Sequence, residues 1–376
     1  MNEPLIRVVK KAELGRTETV ILRLEAIALA IVAGGLFILC IGQNPFVIYK
    51  TIIEGAFRSA MALQATVKIM IPLLISSLGV TLAFKMKFWN IGAEGQIIAG
   101  AICASYFALW HSDWNHWVLI AVMFAAGIIG GGIWGLIPAF FKTRFGTNET
   151  LFTLMLNYIA LHIISYLQEG PWRDLEAQGF AKIARFDKNA SLDKVFGSAV
   201  RVDHRAGSVA AVFVYLKYSK QGYEISVVGE SQETARYAGM NVRRIVLRTM
   251  FLSGAVCGIA GMVQATGSDI TLTTAVAGGV GFTAIIVAWL SQLNPVMILV
   301  VSFLFSVLEK GSSVVQSNYG LSVDCADVLQ GIILMKEQVS AELKQQFRPE
   351  FLNRLDDIIV FKQLTEPQVR QIVDLD

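Results

Sequence analysis

The sequence lacks a GxxxxGK[ST] phosphate loop, a CxxC pair, any repeat of solenoid period and any low-complexity tract. Without that loop, or an acidic strand to hold a metal ion beside it, the chain has no P-loop nucleotide site. Cysteines and histidines number four each. Cys40, Cys103, Cys257 and Cys325 stand far apart in apolar surroundings with no second ligand nearby, which reads as small core residues rather than a metal set. His111 and His116 flank Asp113, but the further ligands a metal site needs are missing, and His162 is alone on an apolar run. No metal or cofactor is expected. Charge is scarce too: Asp, Glu, Lys and Arg make up 16% of residues and the net charge of +3 is too slight to argue for nucleic acid. Acidic residues are few within the apolar runs apart from Glu94, so the paired mid-membrane carboxylates of an ion-coupled secondary transporter are not evident.

What the chain has instead is apolar length. Hydrophobic residues make up 54% of the 376, and the mean hydropathy of +0.56 is far above that of a soluble enzyme of this size. A spanning helix needs about 20 mainly apolar residues. Such runs recur at 22–42, 67–84, 91–109, 117–140, 150–167, 245–265, 276–290 and 295–308, with weaker ones at 206–216 and 325–334. Repetition excludes a cleaved signal peptide as their explanation. The expectation is an all-α polytopic transmembrane helix bundle of about eight to ten spans with a short soluble C-terminal appendage.

Lys and Arg gather in alternate connections, as cytoplasmic loops do. They include Arg7, Lys10, Lys11, Arg16 and Arg23 at the start, then Lys85 and Lys87, then Lys142 and Arg144, then Lys220, Arg236, Arg243 and Arg244. This count requires 206–216 to cross. The intervening turn HSDWNHW has neither Lys nor Arg and carries Trp114 and Trp117, which suits an outer interface. The polar stretch 168–205 is expected as an external loop. Gly127, Gly131 and Gly135, like Gly254 and Gly258, are four residues apart, a spacing that lets helix backbones approach closely. Pro72, Pro138 and Pro295 are placed to kink or end their spans.

Two stretches carry the functional interest. In KFWNIGAEGQIIAGAICASYFALW, residues 87–110, Glu94 stands among glycines at the mouth of an apolar run. A carboxylate at membrane depth is costly, and Asn90, Gly92, Gly95 and Gln96 around it suit a helix start more than a helix middle. Glu94 therefore either lines a pathway at a broken helix start or snorkels beside Lys85 and Lys87 while capping its own helix. Asn90, Gln96 and Asn157 are candidates to line the same path. Asn148 either does so or is a helix N-cap, with Glu149 favourable at the positive helix end. The cluster Gly278, Gly279, Gly281 suits a re-entrant turn or tight packing. The second stretch, GYEISVVGESQETARYAGMNVRRI at 222–245, is polar and basic between two spans, and holds a short helix at 231–237 bounded by Gly229 and Gly239. It is either a rigid helix that a motor domain pushes or an ordinary solvated loop.

The motifs FWNIGAEGQIIAGA, GTNETLFTLMLNYIA, GYEISVVGESQETARYAGM and GGVGFTAIIVAWLSQLNPVMILVVSFLFSVLEKG occur in order across residues 85–334. In them the chain resembles the membrane permeases of ATP-binding-cassette importers for simple sugars, nucleosides and branched-chain amino acids, most closely the nucleoside and simple-sugar branch. The resemblance implies that the 222–245 loop is the coupling helix, a role carried to Gly229, Glu230, Glu233, Ala235, Arg236 and Gly239. It implies as partners an ATPase subunit, a second permease and an external solute-binding protein, commonly a lipoprotein. It also implies a multi-pass protein of the bacterial plasma membrane, surrounded by lipid, that does no covalent chemistry and binds no nucleic acid. Glu94 then belongs to a structured helix break near the translocation path.

Two departures stand beside this resemblance. SAVRVDHRAGSVAAVFVYLKYS, where a full span is expected, has about eleven apolar residues after Arg201, Asp203, His204 and Arg205. A slip of reading frame accounts for that. From Met335 on, the tail is charged and amphipathic and resembles part of the second ATPase domain of Clp and Hsp100 unfoldases, with FRPEFLNR placing an arginine finger at Arg354. A finger without a nucleotide site has nothing to act on. The expected organisation is a permease at 1–334 lacking its last helix, joined to an inactive Clp-type fragment at 335–376. The expected function is import of nucleosides or simple sugars driven by a separate ATPase. The alternatives are a secondary transporter and a membrane-anchored Clp-type ATPase fragment.

Overall fold

The computed structural model describes residues 31–175, 177, 179, 181–192, 212 and 214–320, nearly all of them within one compact unit, Gly35–Gln330. The N-terminal basic segment, the patch at Arg201, Asp203, His204 and Arg205, the span at 325–334 and the tail with Arg354 lie outside the described residues, as does most of the weak span at 206–216.

The described chain is helical. After α1 (Ile31–Cys40), the chain turns by 113° into α2 (Pro45–Phe57). Then come α3 (Ala60–Lys85), α4 (Ala93–Trp110), α5 (His116–Phe145) and α6 (Glu149–Glu169). Two short helices, α7 (Lys220–Glu230) and α8 (Gln232–Tyr237), precede α9 (Val242–Val263), α10 (Val280–Leu290) and α11 (Pro295–Tyr319).

Helix boundaries follow from local chemistry. Ser59, Asn115, Asn148, Asn241 and Asn294 each accept a hydrogen bond from a first-turn N–H, satisfying donors that have no partner within the helix. Asn148 takes two, from Thr150 and Leu151 at 3.0 and 3.2 Å, so it is a helix cap. α5 ends at Gly146 in the left-handed region at φ 69°, with Lys142 and Arg144 in its last turn, where the helix dipole favours cations. Pro72 and Pro138 lie inside helices, and Pro295 opens one.

Among the described residues, five helices are long and apolar enough to cross a membrane, α3, α5, α6, α9 with its extension to Asp269, and α11, or six if the bent α1–α2 pair is one span. This is fewer than the eight to ten crossings expected, and two runs explain part of the difference. α10 has eleven residues, about 16 Å of helix against a hydrocarbon core of about 30 Å. α4 has 18 residues and carries Glu94 and Gln96 in its first turn. α2 was not anticipated from the sequence.

α9 packs against α3, α4 and α5 to form the core. The glycine spacing operates here: a Cβ on Gly135 would meet the Met250 carbonyl oxygen at 2.6 Å, and one on Gly131 would meet the Gly258 Cα at 2.6 Å. Helices α5 and α9 approach backbone to backbone, as small residues permit where lipid supplies no hydrophobic drive. Of the cysteines expected in the core, Cys257 is buried and Cys103 half-buried, while Cys40, at the exposed end of α1, is not a core residue.

The basic residues Lys87, Lys142, Arg236 and Arg243 surround one cavity at a single end of the bundle. At the other end Trp110 packs on Trp172 at 5.1 Å and His111 on Trp114 at 4.6 Å. By the positive-inside rule and the aromatic belt, the first end is cytoplasmic and the second is outer.

Candidate functional site: a helix break and a cytoplasmic helix

Between α3 and α4 the chain breaks at residues 86–92, and four side chains organise the break. Glu94, in the first turn of α4, is 5% exposed. Its Oε1 accepts the Gly279 N–H at 2.8 Å and its Oε2 the Gly281 N–H at 2.7 Å. Glu94 thus caps the start of α10 as well as standing at the start of α4. Two positive helix ends meet at one carboxylate, which suits both. It neither snorkels to the interface nor caps its own helix. The adjacent glycines divide the labour: Gly278 and Gly279 adopt φ of 53° and 80° to make the turn, whereas Gly281 is small because a Cβ there would lie 2.6 Å from the Glu94 Cα. Re-entrant turn and tight packing are both present.

Asn157, from α6, reaches the same break. Its Oδ1 accepts the Gly95 N–H and its Nδ2 donates to the Ile91 carbonyl, both at 2.9 Å. Asn90 Oδ1 accepts the Gly92 N–H at 3.0 Å, and the Asn90 and Gln96 amides exchange bonds at 3.3 and 3.4 Å. Thr153, missed in the sequence, accepts the Ile91 N–H at 3.2 Å. All four expected path residues, Asn90, Glu94, Gln96 and Asn157, are buried and brought together. Their partners are the backbone and one another, which is what non-helical chain at membrane depth requires.

The second site is α8. Its N-cap Ser231 accepts the Thr234 N–H at 3.2 Å and Gly239 ends it at φ 75°. Six residues long, it is held by Ala235, fully buried in an apolar cluster with Met86, Phe88, Ile225 and Met250. Glu230, Glu233, Arg236 and Gly239 are exposed. So is Tyr237, at 93%, which sequence reasoning passed over. Gly229 does not bound the short helix: it lies inside α7, buried where a Cβ would strike the Lys85 carbonyl oxygen, so α7 rests on the end of α3. Beside α8 opens a cavity of about 400 Å³ lined by Lys87, Lys142, Glu149, Arg236 and Arg243 among others, and Lys142 pairs with Glu149 at 2.6 Å across it.

A bundle of apolar helices with a buried polar break and a small helix at its basic end is the architecture of a polytopic membrane protein. The family described as the permease component of branched-chain amino acid transport systems matches residues 61–336, and the chain belongs to it. It is the permease subunit of an ATP-binding-cassette importer and a multi-pass membrane protein, and membership implies an ATPase partner. It is 29% identical over 329 residues to the guanosine transporter permease NupP of Bacillus subtilis, covering 85% of this chain and 93% of that one. It is 28% identical over 319 residues to the glucose transporter permease TsgB13 of Haloferax volcanii, covering 81% and 83%. A further 82 residues' length of similarity, at 42% identity, is to the Clp protease ATP-binding subunit homologue CD4B of tomato, covering 22% of this chain and 8% of that one.

Proposed function

We propose that the chain imports nucleosides or simple sugars across the plasma membrane of a bacterium, as one of two permease subunits fed by an external solute-binding protein and driven by a separate ATPase. The solutes named for NupP and TsgB13 support the solute class. The observation that carries the mechanism is α8. A motor can push only on something stiff, and α8 is capped at one end, stopped by a left-handed glycine at the other and anchored through Ala235. Gly229, Glu230, Glu233, Ala235, Arg236 and Gly239 form this coupling element, with Tyr237 added to its exposed face.

The route inward from α8 is short. α7 presses through Gly229 on Lys85 and Met86 at the end of α3, and the next residues form the break held by Asn90, Glu94, Gln96 and Asn157. Displacement of α8 by the ATPase therefore reaches the starts of α4 and α10. In this reading the four residues hold the wall of the translocation path at the break, and they do not bind the solute directly. The permease occupies 1–334, in keeping with the family match at 61–336. The Clp-like similarity, 82 residues long, is too long to lie within 335–376 alone; the tail takes no part in ATP hydrolysis.

The test is uptake of radiolabelled guanosine and glucose by proteoliposomes holding the whole importer. ATP-dependent accumulation of either solute is expected, and Glu233→Arg should leave insertion intact while uncoupling hydrolysis from uptake. Uptake that persists without the ATPase subunit would instead establish a secondary transporter.

A further inference from the structure

The outer end of α9 abandons α-helical geometry. Gln264–Asp269 form a π-turn, and Ile270 follows at φ 54°, a left-handed conformation that a β-branched residue adopts only under strain. Such turns and such strain concentrate at functional sites. The backbone of the turn is accounted for by the outer loop: the Leu192 N–H donates to the Thr266 carbonyl at 3.2 Å and the Phe186 N–H to the Ile270 carbonyl at 2.9 Å.

The polar side chains are held to one another and to the turn. The Gln264 amide donates to Asp269 Oδ1 at 3.2 Å, and Lys68 reaches across from α3 to donate to the Ser268 carbonyl at 3.1 Å. Lys68 is exposed, although it lies about 12 Å along α3 from the outer end. The non-helical stretch after Ile270 exposes Thr274, Ala275 and Gly278. Unwound backbone at membrane depth is tolerated where it is buried in protein or lines water, and ionisable side chains there mark solute routes. Charge, exposure and unwound backbone thus coincide on this face of α3 and the π-turn.

We infer that Lys68, Gln264 and Asp269 form a recognition site for adjacent hydroxyl groups of the solute as it enters from the outer side. The carboxylate accepts from two hydroxyls, while the ammonium and the amide donate to their oxygens, which is the pattern a 1,2-diol requires. Ribose and hexose rings both carry that diol, so one site serves nucleosides and sugars without reading the base. The inference rests on the importer reading above.

The experiment uses the complete importer in proteoliposomes with guanosine and 2′,3′-dideoxyguanosine as probes, or glucose and 2,4-dideoxyglucose, which has no adjacent hydroxyl pair, if the wild type prefers sugar. Asp269→Asn and Lys68→Met should each raise KM for the hydroxylated solute about tenfold, the loss of one charge-assisted bond, and leave the deoxygenated analogue and the resting ATPase rate unchanged. Equal effects on both probes, or no effect on either, would overturn the site. So would failure of both variants, which lie on different helices, to reach the membrane. Import of neither guanosine nor glucose by the wild type would instead remove the solute class itself, and this site with it.

Discussion

The carboxylate of Glu94 accepts the N–H of Gly279 at 2.8 Å and that of Gly281 at 2.7 Å, across 185 and 187 residues of sequence. The starts of two helices, α4 and α10, are held together by this one side chain. A buried anion is costly alone. Here each oxygen takes a charge-assisted bond and both helix dipoles face it, which offsets the loss of water.

Glu94→Gln removes the charge and turns an amide donor toward one of two N–H groups. Stability should fall by about 2–3 kcal/mol, read as a lower melting temperature of the purified permease in detergent. Transport should fall in step with the folded fraction. Lost transport at unchanged stability would show that Glu94 meets the solute instead.

Asn157→Leu is nearly isosteric but strands the Gly95 N–H and the Ile91 carbonyl. The expected cost is about 2 kcal/mol or more, because unsatisfied buried polar groups keep their full desolvation penalty. Asn157→Asp preserves the acceptor for Gly95 and should recover less than half of that loss. Equal stability of all three proteins in thermal unfolding would contradict the network.

Gly135→Ala places a methyl group 2.6 Å from the Met250 carbonyl oxygen. Helices α5 and α9 must separate, and a loss of about 1–3 kcal/mol is expected. Gly179→Ala, at φ 102° with open space around it, is strained locally and leaves the helix seam untouched. Cysteine cross-linking between α5 and α9 should slow for the first variant and stay unchanged for the second.

Tyr237 is 93% exposed on α8, so Tyr237→Ala should leave expression and melting temperature unaltered. ATP hydrolysis by the assembled importer should lose its dependence on the loaded binding protein. Retained stimulation would place Tyr237 outside the docking face.

Much of this protein is legible in one dimension because the bilayer imposes rules that a sequence must obey locally. Apolar runs, the Lys and Arg asymmetry, the cap at Asn148 and the Gly-x-x-x-Gly spacing each depend on near neighbours, and α3, α5, α6, α9 and α11 appear where apolar runs lie. The glycine at Gly239 likewise announced the end of α8, since a left-handed residue is a local requirement. Tertiary structure alone decided the partners of side chains that act at a distance. Nothing near Glu94 in sequence reveals that Gly279 and Gly281 are its donors, because their pairing depends on how α10 folds back. Gly229 reads as a helix boundary by composition, and only packing against Lys85 makes it a contact glycine. Lys68 and Asp269 drew no notice as single charges at the ends of apolar runs; the π-turn that brings them to one face arises from how α9 meets the outer loop, which is a property of the assembled bundle.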